Sequence, residues 1–181
     1  VRLKGCDCGI MVTASHNPPS DNAVKVYWST GGQVLPPHDK AIIERVMNTD
    51  EIKRENFQAC LDNGKVEICT EEVDTAFLAE VKNYSFEGPR DARIIFSPLH
   101  GVGAFAVMPA LAQAGFNDAE VYGQHEEPSG DFPNVPGHVS NPENKVVFDA
   151  IIEQAKATGA DVILATDPDC DRLGCAAPLT Q

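Results

Sequence analysis

Residues 161–166, Asp-Val-Ile-Leu-Ala-Thr, run without a break into Asp167-Pro168-Asp169-Cys170-Asp171-Arg172. An apolar run this short, bounded by polar residues, reads as a buried strand. A buried strand that delivers three carboxylates at its end belongs in an open α/β sheet, where ligands sit beyond the carboxyl ends of the strands. The preceding residues agree with that reading. A strand at 93–97 (RIIFS) leads to a helix over about 101–115 and a strand at 119–122 (AEVY). A long Pro/Gly loop, 123–141, then precedes a helix with Phe148, Ile151, Ile152 and Ala155 on one face. Asn141 is its expected N-cap, Pro142 its first helical residue and Gly159 its stop. Pro109 predicts either a later start or a kink in the helix over 101–115. Strands alternating with helices predict an α/β fold: a mainly parallel sheet with helices on both faces, preceded by a partial α/β domain.

That partial domain is read in residues 1–48. A short apolar strand at 9–13 ends in the polar loop TASHNPPSDN, and a second strand follows at 24–28 (VKVYW). Gly31-Gly32 makes a turn, Pro36-Pro37 stops strand pairing, and Ile42, Ile43, Val46 and Met47 share a helical face. Residues 49–69 are polar and mixed and read as a connection. The second domain is read over 70–181, with Thr70 capping a helix over 71–84 through Val73, Phe77, Leu78 and Val81. The first residue is Val, so the chain is expected to be cut from something longer.

Charge narrows the function. Lys and Arg number 14 against 27 Asp and Glu, a formal net charge of −13. Nucleic acid and anionic membrane surfaces would repel such a chain. No stretch reaches the roughly 18 apolar residues of a membrane span. The six cysteines, Cys6, Cys8, Cys60, Cys69, Cys170 and Cys175, are irregularly spaced and contain no C-x-x-C pair. They read as reduced cytosolic thiols rather than a zinc site or a disulfide framework.

Three aspartates at i, i+2 and i+4 in an extended loop would point to one side and repel one another. A hard divalent cation removes that conflict, and all-oxygen ligation favours Mg²⁺, Mn²⁺ or Ca²⁺. An EF-hand is excluded, because the positions that need Gly and Glu hold Arg172 and Pro178. A phosphatase with an aspartyl nucleophile would need further segments downstream, and nine residues follow Arg172. A solvated acidic loop is the alternative. The loop Thr13-Ala14-Ser15-His16-Asn17-Pro18 also follows an apolar strand. Adjacent Ser15 and His16 do not by themselves make a hydrolase site, and an Asn-Pro turn with an exposed serine is the plain reading. The two loops together say more. A phosphorylated serine offers oxygens to a hard cation, the aspartates complete its shell, and Arg172 and Lys25 supply positive charge for phosphoryl transfer.

These motifs resemble those of the α-D-phosphohexomutases, the phosphoglucomutase/phosphomannomutase superfamily. TASHNP resembles the phosphoserine loop and DPDCDR the metal loop. NAVKVYW followed by GGQ and PPHDK, then SPLHGVG, then NPEN, occur in the family's order along essentially the whole chain. KVYW and PPHD are most similar to the branch that includes type-2 phosphoglucomutases, phosphopentomutases and some bacterial phosphomannomutases. The resemblance implies a Mg²⁺-dependent, cytoplasmic isomerase. It would interconvert a sugar 1-phosphate and its 6- or 5-phosphate through a phosphoserine and a bisphosphorylated sugar. Ser15 would carry the phosphoryl group. Asp167, Asp169 and Asp171 would hold Mg²⁺ together with an oxygen on Ser15, and Arg172 would neutralise the phosphoryl charge. His16 and Lys25 would line the cleft, Lys25 as a candidate acid/base; His100, in SPLHG, receives no chemical role. Where the family has Asn-Gly-aromatic-Lys, this chain reads Asn22-Ala23-Val24-Lys25. The family's sugar and C-terminal phosphate loops are not in these residues, so the chain alone is expected to be inactive. Sugar identity and oligomeric state are left open. Ser15 and the carboxylates are expected to face each other across about 4–8 Å, room for a phosphoryl group and one cation.

Two rival readings differ in class. Gly101-x-Gly103-x-x-Ala106, after a strand and with Glu126 about twenty residues on, resembles a dinucleotide fingerprint. A non-catalytic module derived from a mutase is the other. NAD(H) binding would favour the first, and binding of neither NAD(H) nor sugar phosphate the second.

Overall fold

The structure, a computed structural model, describes residues 1–179. The described residues divide into two compact units: 1–12 with 24–73, and 13–23 with 74–179. The loop after the first strand thus groups with the second unit, while the strands flanking it belong to the first.

In the first unit, β1 (Cys8–Val12) pairs antiparallel with β2 (Val24–Trp28), Gly9 opposite Tyr27 and Met11 opposite Lys25. Gln33 bridges back to Tyr27, and α1 (His38–Met47) follows the Pro36-Pro37 step. Ile43, Val46 and Met47 on α1 are exposed, as are Ile10 and Val12 on β1. The polar 49–69 segment contains a helix that patterning missed, α2 (Phe57–Asp62), whose start is fixed by the Asn56 side chain accepting from the Ala59 N–H at 2.9 Å. Six residues with little apolar periodicity give no signal to a pattern search, whereas the cap is local chemistry. Lys4 lies against Glu67 and Glu72 at 3.2 and 2.7 Å, and these carboxylates hold its ammonium well above the usual lysine range.

The helix α3 (Thr70–Lys82) leads into the second unit. There β3 (Ile94–Ser97), α4 (Ala104–Gln113), β4 (Ala119–Val121), α5 (Asp149–Thr158), β5 (Val162–Thr166) and β6 (Leu173–Ala176) build a four-stranded sheet in the order β4-β3-β5-β6. β4, β3 and β5 are parallel, and β6 is antiparallel to β5. From β3 the chain crosses to β4 on one side, then returns past β3 to β5 on the other. Right-handed crossovers in opposite directions set α4 and α5 on opposite faces. The fold is therefore the expected mostly parallel α/β sheet with its helices.

The core lies under this sheet: Ile95, Leu99, Val147, Ile151 and Ala165 are almost fully buried. α5 ends at Gly159, whose left-handed φ of 72° needs no Cβ penalty. Its start differs from expectation. Asn141 and Pro142 do not cap it; the Asn141 side chain closes a turn on the Glu143 N–H at 3.0 Å, and a short 3₁₀ turn over Lys145–Phe148 intervenes. Pro109 sits inside α4, which starts at Ala104. All six cysteines are free thiols. Among the described residues, no helix is long and apolar enough to cross a membrane.

Candidate active site

The point where the crossovers change direction lies between β3 and β5, and ligands of open α/β sheets bind in the crevice beyond such a pair. Two loops emerge there. One follows β3: Pro98-Leu99-His100-Gly101. The other follows β5 and carries the aspartates. They interlock. A Cβ on Gly101 would lie 2.3 Å from Pro168 Cα, and one on Gly103 would lie 2.5 Å from Thr166 Oγ1. The Val102 N–H donates to the Pro168 carbonyl at 3.0 Å. The glycines of the apparent dinucleotide fingerprint are thus used for contact between loops, and the space a pyrophosphate would occupy over Gly101 is held by Pro168.

The aspartate loop is not extended, as the i, i+2, i+4 argument assumed. It is a turn closed by the Cys170 N–H on the Asp167 carbonyl at 3.0 Å, with Cys170 itself left-handed at φ 60°. The turn still converges the carboxylates: oxygens of Asp167, Asp169 and Asp171 lie within 4.8 Å of one another. Asp167 is fully buried and organises the loop. Its Oδ1 accepts from the Asp171 N–H at 3.1 Å and the Arg172 N–H at 2.9 Å. Burial, first of all, pushes its carboxyl above the usual carboxylate range, and the Asp169 and Asp171 charges add to the rise. The Arg172 N–H and the Ser15 hydroxyl act the other way. Arg172 Nε lies 3.8 Å from Asp167 Oδ2, and Nη1 lies 3.3 Å from Glu143. Burial also raises the Cys170 thiol, so it stays protonated beside the aspartates.

The loop Thr13–Ala23 meets this centre. Ser15 Oγ donates to Asp167 Oδ2 at 2.8 Å, and Thr13 Oγ1 donates to Asp169 Oδ2 at 3.2 Å. Ser15 has a left-handed φ of 54°, and its N–H donates to Thr13 Oγ1 at 2.8 Å. Non-glycine residues held in that region persist only where neighbours enforce them, as at ligand sites. The expected gap of 4–8 Å between serine and carboxylate is therefore closed to a direct hydrogen bond. His16 Nδ1 lies 3.3 Å from Ser15 Oγ, closer than adjacency suggested. The hydroxyl has one proton, directed at Asp167, so His16 meets it as a donor.

Lys25 belongs to the first unit, half-buried on β2. Ala23 is not among the residues with positive φ, so the Gly-to-Ala departure does not strain position 23. Sequence reasoning missed Thr13, whose side chain reaches the same carboxylates, and Glu143, which holds Arg172. Both lie inside quoted motifs, and their polarity was the available signal.

The donor set suits a hard cation: three carboxylates and a hydroxyl, all oxygen. The chain also resembles proteins of known family. Residues 75–179 match the model for phosphoglucomutase/phosphomannomutase alpha/beta/alpha domain II, and residues 1–53 the model for domain I. A phosphoglucomutase of Staphylococcus saprophyticus is 35% identical over 179 residues, covering 96% of this chain and 32% of that protein. A human phosphopentomutase is 33% identical over 185 residues, covering 96% and 29%. The crystal structure of a phosphoglucomutase/phosphomannomutase family protein from Burkholderia thailandensis superposes with a TM-score of 0.66 at 22% identity, covering 94% of this chain and 33% of that one. The chain thus spans about a third of the length of the curated relatives it matches.

Proposed function

Because the chain belongs to the phosphoglucomutase/phosphomannomutase family, we propose that its two loops form the phosphoryl-transfer centre of a cytoplasmic sugar-phosphate mutase. Ser15 is the residue that gives and takes the phosphoryl group. The supporting observation is the 2.8 Å hydrogen bond from Ser15 to Asp167, which joins loops 152 residues apart. The substrate is a hexose or pentose phosphate, and the reaction passes through its bisphosphate. Asp167, Asp169 and Asp171, with an oxygen on Ser15, would hold Mg²⁺, which when bound offsets the charge that collects on the phosphoryl oxygens.

The chain's own groups do the remaining work. Asp167 holds the serine hydroxyl by its proton and sets the oxygen's direction. Asp167 Oδ2 is the acceptor of that proton, at 2.8 Å. His16 fixes the other side of the oxygen. Arg172, held between Asp167 and Glu143, supplies a guanidinium within reach of a group on Ser15. Lys25 is assigned as an acid/base that serves the sugar hydroxyl. Residues 1–48 are assigned to domain I, 49–69 to the connection and 70–181 to domain II, an arrangement supported by the spans of the two family models.

The test is covalent labelling. Incubated with a hexose 1,6-bisphosphate and Mg²⁺, the chain should gain one phosphoryl group. Peptide mass spectrometry should locate it at Ser15, and Ser15→Ala should gain none. Net turnover of glucose 1-phosphate or ribose 1-phosphate by these 181 residues alone is expected to be absent, since positioning supplies much of the barrier reduction. Label at any residue other than Ser15 would refute the assignment.

A further inference from the structure

The turn after β3 carries two consecutive left-handed residues, Leu99 at φ 47° and His100 at φ 65°. Neither is glycine, so the surroundings must enforce the conformation. They do so through two imidazoles, His125 at 1% exposure and His100 at 4%. The Ser97 hydroxyl lies 2.9 Å from His125 Nδ1, and His125 Nε2 lies 3.2 Å from the Asn134 carbonyl. A carbonyl only accepts, so Nε2 carries a proton, and in the neutral ring Nδ1 accepts from Ser97. The Ser97 oxygen in turn accepts from the Leu99 N–H at 3.2 Å. His100 is held in the same manner. Its Nδ1 donates to the Glu127 carbonyl at 2.7 Å, and its Nε2 accepts from the Asn134 N–H at 3.4 Å. Its main-chain N–H donates to the His125 carbonyl at 2.9 Å, and the Leu99 carbonyl accepts from the Ser140 hydroxyl at 2.8 Å. In this hydrogen-bond pattern each neutral ring is confined to one tautomer.

The turn so held is the one whose Gly101 and Val102 seat Pro168, the residue between Asp167 and Asp169. We propose that His100 and His125 are positioning residues for the aspartate loop: as neutral rings they lock the Leu99–His100 turn and, through Pro168, the convergence of the carboxylates. The proposal rests on the reading of those carboxylates as cation ligands. It also makes the centre acid-sensitive. A proton added at His100 Nε2 would face the Asn134 N–H, donor against donor. One added at His125 Nδ1 would leave the Ser97 hydroxyl proton without its acceptor. The ionisable groups packed on the pair are each other, at 5.4 Å between ring centroids, and Tyr122, 4.7 Å from His125; Glu126, Glu127 and Asp131 on the same segment are exposed. Burial lowers the pKa of His125, which fits a ring built to stay neutral.

The test combines Mn²⁺ affinity, read by electron paramagnetic resonance, with hydrogen exchange at the Val102 amide, read by NMR. Ser97→Ala and His125→Gln should each weaken Mn²⁺ binding near pH 8 on the order of 10-fold, the scale of outer-shell changes at metal sites. Both should speed Val102 exchange while the α5 amides stay protected. In the unsubstituted chain, Val102 protection should fall as pH drops below the ordinary histidine value of about 6.5, and the fall should be smaller in His125→Gln, where His100 remains. If His125→Gln does not fold, Ser97→Ala and the pH profile of the unsubstituted chain decide. Absence of Mn²⁺ binding in the unsubstituted chain would sink the cation reading, while Val102 exchange would still judge the clamp. Equal Mn²⁺ affinity in all variants, or Val102 exchange unmoved by substitution and pH, would overturn the proposal.

Discussion

Asp167→Asn should raise the thermal stability of the metal-free chain and at the same time cut its Mg²⁺ affinity by more than about 100-fold, beyond the range of outer-shell substitutions. The carboxylate is fully buried beside two others, and its folded pKa is raised, chiefly by burial. A raised folded pKa means that the folded chain binds this proton more tightly than the unfolded one. The associated stability is present below the ordinary carboxylate pKa and is lost as pH rises through the folded value. At neutral pH the metal-free fold therefore carries the cost of a desolvated charge. Asparagine removes the charge and keeps the pattern: its oxygen accepts from the Asp171 and Arg172 N–H groups, and its amide donates to Ser15 Oγ. Melting curves without metal should show the variant above the parent at pH 7, with the gap closing toward pH 4. Isothermal titration with Mg²⁺ should show the affinity loss. A variant less stable than the parent at pH 7 would mean that Asp167 contributes more as an acceptor than it costs as a charge.

Gly101→Ala carries the second large effect. The new Cβ would fall 2.3 Å from Pro168 Cα and 2.6 Å from its carbonyl oxygen, both backbone atoms that cannot rotate away. Overpacking of this kind costs about 1–3 kcal/mol and occasionally more. Here the strain has to be relieved by moving the aspartate loop. Denaturant unfolding should show the loss of stability, and phosphoryl labelling of Ser15 should fall with it. Gly130→Ala is the control, because a Cβ there meets nothing within 4 Å.

Much of the second unit was legible in the sequence. The runs around Ile94–Ser97 and Val162–Thr166 are apolar and short, the helices between them are periodic, and Gly159 ends α5 as its residue type requires. What patterning could not give was set by contacts remote in sequence. β6 is a four-residue strand alternating exposed and half-buried, and its place beside β5 follows from pairing rather than from its own composition. The shift of the α5 start from Asn141 to Asp149 reflects an Asx turn that competes with capping. At the site, the carboxylates and Ser15 were found from motif chemistry. Thr13, Glu143 and the Ser97–His125 pair matter through hydrogen bonds that no spacing rule encodes.

The aspartate loop joins two strands locked in register, Thr166 opposite Leu173. Six residues therefore close a hairpin whose ends cannot slide. This makes the segment intolerant of changes in length. One inserted residue would have to bulge, rotating every following carboxylate off its bearing, whereas the exposed segment 83–89 between α3 and β3 can absorb extra length. Length changes are therefore borne away from the centre and not within it. The hairpin tip is a fixed ruler against which the segments that approach the carboxylates are measured.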